Sequence, residues 1–181
     1  MTHKVPSPTL AIGILTKNEA RLIGGCIESA LFADEVIVLD SGSTDNTLYI
    51  AQKLGAKTFT SADWQGFAVQ RNRLLEQVNS DYIFFLDADE VISPELKAEI
   101  QSIVHSGATG VWKVRWTVVA YGHVLQHFKS NASMERLFPR SLIDHYKGVV
   151  HEEAVLRSTE PVTRHVMTHR LLHHSRQSIR A

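Results

Sequence analysis

Two carboxylates separated by one residue, Asp87-Ala-Asp89, follow an unbroken apolar run, Tyr82-Ile-Phe-Phe-Leu86. On an extended backbone, residues i and i+2 project to the same side, about 6–7 Å apart. Mg²⁺ and Mn²⁺ take oxygen ligands and are commonly held by one or two carboxylates together with substrate phosphates. An apolar strand that delivers two acids into a cleft is costly unless a cation or a hydrogen-bond donor meets them there. The plainer alternative is a solvated turn before Ser93. Two further polar clusters stand just after apolar runs: Thr16-Lys-Asn-Glu19 and Asp40-Ser-Gly-Ser-Thr-Asp45. Ligands of open parallel sheets bind beyond the carboxyl ends of the strands, so such a sheet would gather all three clusters at one edge.

The elements that would position these clusters alternate through the first hundred residues. Leu10–Leu15, Val36–Leu39, Lys57–Thr60 and Tyr82–Leu86 read as strands. Between the first two, Leu22, Cys26 and Ala30 recur at helical spacing, as do Ile23, Ile27 and Leu31, which places Cys26 in the core. Asn18 is a candidate cap for that helix, with Glu19 in its first turn. Thr44 or Asp45 would cap a helix ending before Gly55, residues 66–78 read as a helix, and Ser93-Pro94 opens another. This rhythm predicts an α/β fold with a mostly parallel sheet. After Gly110, strand-like segments follow without long helices: Val111–Ala120, His123–Phe128, Met134–Arg140 and Val149–Leu156. They predict a more antiparallel second half that supplies the other wall of the site. The expectation is one domain, with residues of about 9–110 as one half, about 111–160 as the other, and 161–181 as a basic C-terminal segment.

Composition narrows the function classes. The 181 residues carry 19 Lys+Arg against 19 Asp+Glu, with 44% hydrophobic residues. That balance argues against disorder and removes the electrostatic case for a nucleic-acid binder. No apolar run approaches the ~18–20 residues that span a bilayer, and the N-terminal residues lack the apolar stretch of a signal peptide. A cytoplasmic, soluble domain is the expectation. The one cysteine excludes an intramolecular disulfide. Trp64 and Phe67 read as anchors of a loop to the core, and Trp112 and Trp116 share one face of a strand. His165, His169 and His173 have helical spacing, but the arginines among them favour a basic surface facing solvent or a membrane over a zinc site. Arg136 is read equally as a surface residue or as the partner of an acid or phosphate.

The ordered set Thr16-Lys-Asn-Glu-Ala20, Val38-Leu-Asp-Ser-Gly-Ser-Thr-Asp-Asn-Thr47, Gln70-Arg-Asn72, Leu86-Asp-Ala-Asp-Glu90 and Val150-His-Glu152 resembles glycosyltransferase family 2. Within it, the closest likeness is to bacterial lipopolysaccharide core β-1,4-glucosyltransferases, from about Thr9 to about Ser175. The resemblance implies a GT-A nucleotide-sugar fold, a divalent metal (Mg²⁺ or Mn²⁺) and an inverting transfer of a hexose, glucose from UDP-glucose. The implied acceptor is a core saccharide or related lipid-linked saccharide, reached by peripheral contact with an anionic inner-membrane surface. Carried onto this chain, Thr16, Asn18 and Glu19 would line the nucleotide pocket and Asp40 would accept from the base. Gln70, Arg71 and Asn72 would lie near the nucleotide or donor sugar, and Asp87 would reach the ribose or sugar. Asp89 would bind the metal, with His151 as a further ligand or as an orienter of the diphosphate. Glu152 would be the catalytic base, with Glu153 as the alternative. The family often has Lys where Arg71 stands, and its members continue beyond this C-terminus, so a non-catalytic nucleotide-sugar binder is the main competing reading.

Two other readings fit less well. Asp87-Ala-Asp89-Glu-Val91 literally meets the nucleophile motif of haloacid-dehalogenase-type phosphatases. Three β/α segments precede it, however, and no later acidic pair follows a strand. A nucleotidylyltransferase would need a Gly-rich basic loop after the first strand, which Thr16-Lys-Asn-Glu-Ala does not supply.

Overall fold

The computed structural model describes residues 6–129, 131–149 and 152–174. β1 (Leu10–Thr16), β2 (Glu35–Asp40), β3 (Lys57–Thr60) and β4 (Tyr82–Asp87) run parallel in the order β3-β2-β1-β4. The helices between them are α1 (Ile23–Ala30), α2 (Thr47–Lys53) and α3 (Phe67–Leu75). The sequence alternation emerges as two buried faces. Ile12, Ile14, Val36, Val38, Phe84 and Leu86 pack with Ile23 and Ile27 of α1, while Ile37, Ile83 and Phe85 pack with Leu74 of α3. Gly13 is where α3 comes closest, since a Cβ there would lie 2.3 Å from Leu74.

Past β4 the sheet continues through β8 (Met134–Pro139), β6 (Val111–Ala120), β11 (Arg164–His174) and β5 (Glu90–Ile92), with β7 (His123–Lys129) also on β6. β8 is antiparallel to both β4 and β6, β11 is parallel to β6, and β5 is antiparallel to β11. α4 (Pro94–His105) covers this half, and β9 (Ile143–Lys147) with β10 (Glu153–Leu156) forms a separate hairpin. β5 stands four places from β4 in the strand order, yet only Ala88 and Asp89 separate them in sequence. A flat sheet would place them about 19 Å apart, whereas three residue steps reach about 11 Å at most. The sheet must therefore curl, and the Asp87–Glu90 turn sits inside the curl.

The sequence expectations for α/β class, strand positions, the buried Cys26, the Gly55 helix end and the Ser93 cap hold in the structure. Ser93 accepts from the Leu96 amide at 3.2 Å. Four local readings are corrected. Asn18 does not cap α1, which starts at Ile23; it sits at φ 55° with its side chain bonded to Thr44 instead. Asp87 ends β4 and Asp89 lies in the turn that follows, rather than both lying on one extended strand. β9 and β5 were not anticipated, and β10 is shorter than Val149–Leu156. Most consequentially, residues 164–174 are an interior strand. Helical spacing of the histidines has no bearing there, because in a strand an even separation already puts them on one face. Arg164 pairs with Glu135 at 2.7 Å and Arg170 donates to the Trp116 carbonyl at 3.2 Å, while Arg176 and Arg180 lie outside the described residues.

At the opposite edge from the three polar clusters, one carboxylate fixes the strand ends. Glu35 is buried at the start of β2, accepts from Ser80 Oγ at 2.7 Å and from the Asn79 and Ser80 amides, and pairs with Lys57 at 2.7 Å. Burial works against ionisation of Glu35, but the Lys57, Ser80 and Asn79 hydrogen bonds outweigh it and hold the carboxyl below its usual 4.5. The stability it supplies is thus fully present above about that pH and is lost as pH falls through the lower folded value. In urea unfolding at pH 7, Glu35→Gln should cost about 1–3 kcal/mol, and the gap to wild type should close as the titration is repeated toward pH 3.

Candidate active site

The site forms where β4 ends inside the curl. Asp87 lies between two buried guanidiniums: Arg136 Nη2 donates to Oδ2 at 2.8 Å and Arg71 Nη2 to Oδ1 at 3.4 Å. Arg136 also donates to Glu90 Oε1 at 2.9 Å, and Glu90 Oε2 accepts from the Asp87 amide at 3.0 Å. Arg71 donates through Nε to Glu152 Oε1 at 3.3 Å, its guanidinium lying 5.4 Å from the Phe85 ring centre and 5.6 Å from that of Tyr146. Each partner comes from a different place in the chain. Arg71 projects from the buried face of α3, Asp87 ends β4, Glu90 opens β5, Arg136 stands in mid-β8, and Glu152 immediately precedes β10.

Electrostatics sort the acids. Burial of Asp87 would raise its carboxyl, but Arg136 and then Arg71 hold it well below the usual range. Burial pushes Glu90 up to about 7, with Arg136 opposing and Asp87 adding to the rise. Asp89 is also raised, by burial first, with the charge of Asp87 adding and His173 opposing. Among the described residues no arginine or lysine pairs with Asp89. The imidazole of His173 stands beside it, with Nδ1 3.7 Å from Oδ1. β11 is fixed against this turn by the His174 amide, which donates to the Asp89 carbonyl at 2.8 Å.

The residues gathered along one cleft of about 630 Å³ include Thr16, Glu19, Arg71, Asp87, Asp89 and Glu152. Thr16 Oγ1 is buried there without a hydrogen-bond partner among the described residues. Asn18, Asp40, Gln70 and Asn72 do not line the cleft; they shape the loops behind it. Asn18 Oδ1 accepts from the Thr44 amide at 2.8 Å, joining the loops after β1 and β2. Asp40 is fully buried and accepts from the Gly42 and Ser43 amides at 2.9 and 2.8 Å, a tight turn made with Gly42 at φ 88°. Gln70 donates to Ser41 Oγ and the Ser61 carbonyl, and Asn72 exchanges two hydrogen bonds with the Tyr146 backbone, tying α3 to β9. Glu153 is exposed on β10, 3.8 Å from Lys147, and His151 lies outside the described residues.

Two features went unread or misread in the sequence, and for a third, Arg136, one of two open readings holds. Trp64 and Phe67 are not core anchors: they are 46% and 50% exposed, meet edge to face at 4.9 Å and line the cleft. Of the two readings open for Arg136, the structure shows the partner of acids: it is buried and pairs with Asp87 and Glu90. The available signal was its place two residues before Phe138, on the strand face that packs into the core. His173 faces the Asp89 turn because β11 enters the sheet, which its basic composition did not suggest.

A divalent cation is implied by the fold class, and the donor set fits one. Asp89 offers carboxylate oxygens that no arginine neutralises, and His173 offers an imidazole nitrogen beside it. Among the described residues no group of three or more His, Cys, Asp or Glu has metal-holding geometry; substrate phosphates and water commonly complete a site of this kind, and His151 lies outside the described residues.

The comparisons with known proteins agree with this architecture. The model of the family "Glycosyl transferase family 2" matches residues 11–151, and the chain belongs to that family. An "Uncharacterized glycosyltransferase" of Rickettsia bellii is 46% identical over 94 residues, covering 51% of this chain and 32% of that protein. The "Lipopolysaccharide core biosynthesis glycosyltransferase LpsC" of Rhizobium meliloti is 28% identical over 137 residues, covering 72% of this chain and 51% of LpsC. The chain thus spans a third to a half of these relatives. Among solved structures, S. aureus TarS 1-349 in complex with UDP-GlcNAc aligns with a TM-score of 0.68 at 19% identity, covering 94% of this chain and 60% of that one. Glucosyl-3-phosphoglycerate synthase from Mycobacterium tuberculosis, in complex with Mn²⁺, UDP and glucosyl-3-phosphoglycerate, aligns with a TM-score of 0.56 at 22% identity, covering 75% and 60%. These likenesses establish the GT-A fold.

The two-arginine cluster yields a stability prediction. Removing one partner of a buried ion pair leaves an uncompensated charge and typically costs about 3–5 kcal/mol. Arg136→Ala strands both Asp87 and Glu90, so a loss of about that size is expected in chemical denaturation, with Arg136→Lys recovering part of it.

Proposed function

We propose that this glycosyltransferase moves a hexose, glucose from UDP-glucose, onto a saccharide acceptor by a single inverting displacement. The observation that carries the reading is the sorting of acids along one cleft. Asp87 is neutralised by two arginines, whereas Asp89 keeps oxygens open for a cation and Glu152 keeps one oxygen open for a proton. The names of the neighbouring structures, which hold UDP, UDP-GlcNAc and Mn²⁺, support the donor and metal classes. The likeness to LpsC supports a lipopolysaccharide core or related lipid-linked saccharide as acceptor. A cytoplasmic setting at an anionic inner-membrane surface belongs to the same reading. It draws on that likeness and not on surface charge, since Arg164 and Arg170 are engaged within the sheet.

In this mechanism Thr16, Lys17 and Glu19 line the nucleotide end of the cleft, with Trp64 and Phe67 exposed along it. Asn18, Asp40, Gln70 and Asn72 act one layer behind, fixing the loops. Asp89 and His173 would hold the divalent cation, which when bound supplies positive charge to the diphosphate leaving group. Arg71 orients Glu152 through Nε–H···Oε1, and among the described residues Oε2 has no hydrogen-bond partner. That oxygen is placed to take the proton of the acceptor hydroxyl as it attacks the sugar carbon.

Glu152→Gln keeps the side-chain shape and removes the proton acceptor. Donor binding should therefore stay near wild type in calorimetry with UDP-glucose and Mn²⁺, while kcat falls about 10²–10⁴-fold in a transfer assay. Unchanged turnover would move the base elsewhere, Glu153 being the next residue to test. Full donor binding without turnover in the wild-type chain would favour the binding-only alternative.

A further inference from the structure

Glu152 and Arg71 stand on the boundary between two cavities. On one side lies the acid-rich cleft with Asp87 and Asp89. On the other, between β6, β8 and the β9–β10 hairpin, lies a second cavity of about 610 Å³. Its wall has the opposite charge character: Lys113, Lys147 and Arg164 against Glu135 and Glu153. Two of these cations are matched, Arg164 with Glu135 at 2.7 Å and Lys147 with Glu153 at 3.8 Å. Lys113 is not. It stands opposite Glu135 in the β6–β8 register, but that carboxylate is bonded to Arg164, and Lys113 has no hydrogen-bond or ion-pair partner among the described residues. Lys113 is a half-buried residue on the wall of this cavity, and the carboxylate across the strand from it is already engaged by Arg164. An anionic ligand group would pair with it.

We propose that the second cavity is the acceptor site and that it takes an acidic saccharide, whose carboxylate or phosphate pairs with Lys113 while a hydroxyl reaches Glu152. The proposal rests on the reading of Glu152 as the base, and it adds an acceptor class. Glu152 at the boundary then lies beside the acceptor hydroxyl, taking its proton as that oxygen attacks the donor carbon from the face opposite the diphosphate, which leaves as the new bond forms. Arg71 and Arg136 also line this cavity, but their guanidiniums already pair with Asp87, Glu90 and Glu152, which leaves Lys113 to discriminate.

The test is a ligand-observed NMR titration of the full 181-residue chain with UDP and Mg²⁺ present, using methyl glucuronide, glucose 6-phosphate and neutral methyl glucoside as probes. At least one acidic probe should bind about tenfold or more tightly than the neutral one, the size expected for a charge-assisted contact. Comparison of the two acidic probes identifies carboxylate or phosphate as the preferred group. Lys113→Met should abolish the preference and Lys113→Arg should keep it, both with wild-type UDP affinity, which also reports that the variants are folded. Equal binding of acidic and neutral probes, or a preference that survives Lys113→Met, would overturn the proposal. UDP affinity is titrated separately. A wild-type chain that fails to bind UDP contradicts the donor reading, while the acid-against-neutral comparison still decides this one.

Discussion

The fold is organised around two arginines that it buries. Arg71 and Arg136 together touch Asp87, Glu90 and Glu152, and these five residues come from α3, β4, β5, β8 and the segment before β10. Charges removed from water cost several kcal/mol each unless paired with good geometry, so the cluster is stable only when all five segments arrive together. It therefore joins the parallel half of the sheet to the antiparallel half, and it holds the turn at Ala88-Asp89 inside the curl. β11 completes the enclosure through its pairing with β5 and the His174–Asp89 backbone bond.

The same cluster decides which acids remain available for chemistry. Asp87, Asp89, Glu90 and Glu152 bring four carboxyl groups, Glu90 pushed up to about 7 by burial, against two guanidiniums. The deficit falls where, among the described residues, neither arginine makes a direct contact: on the side chain of Asp89 and on Oε2 of Glu152. Two acids that look alike in the sequence thus stand differently: Asp87 is tied to two arginines and Asp89 is not, which is what the proposed role of Asp89 as a metal ligand draws on. An excess of negative charge in a half-buried cleft favours a divalent cation and the diphosphate it would accompany.

Much of this was legible in the sequence where the signal was local. Continuous apolar runs gave the parallel strands, and Ser93-Pro94 and Gly55 marked helix ends. The three polar clusters at strand ends gave the edge where the cleft lies. What escaped was set by long-range pairing. Residues 164–174 are basic in composition, yet they form a central strand because Leu171 and Met167 reach the core and Arg164 meets Glu135. Spacing alone could not separate Asp87 from Asp89, since the distinction depends on Arg71 and Arg136, 16 and 49 residues away. Asn18, Asp40 and Asn72 stand in the right motifs, yet their side chains hold neighbouring backbone in place.

The division between Asp87 and Asp89 is the central claim, and paired thermal unfolding of Asp87→Asn and Asp89→Asn, with and without UDP plus Mn²⁺, tests it most directly. Asp89→Asn should melt at or above wild type without ligand, because it removes a charge from a cluster already too negative, and it should lose the stabilisation that UDP and Mn²⁺ give the wild-type chain. Asp87→Asn should melt well below wild type without ligand, because it leaves two buried guanidiniums short of a partner. An Asp89→Asn chain that keeps the full metal-dependent shift, or an Asp87→Asn chain as stable as wild type, would contradict the account.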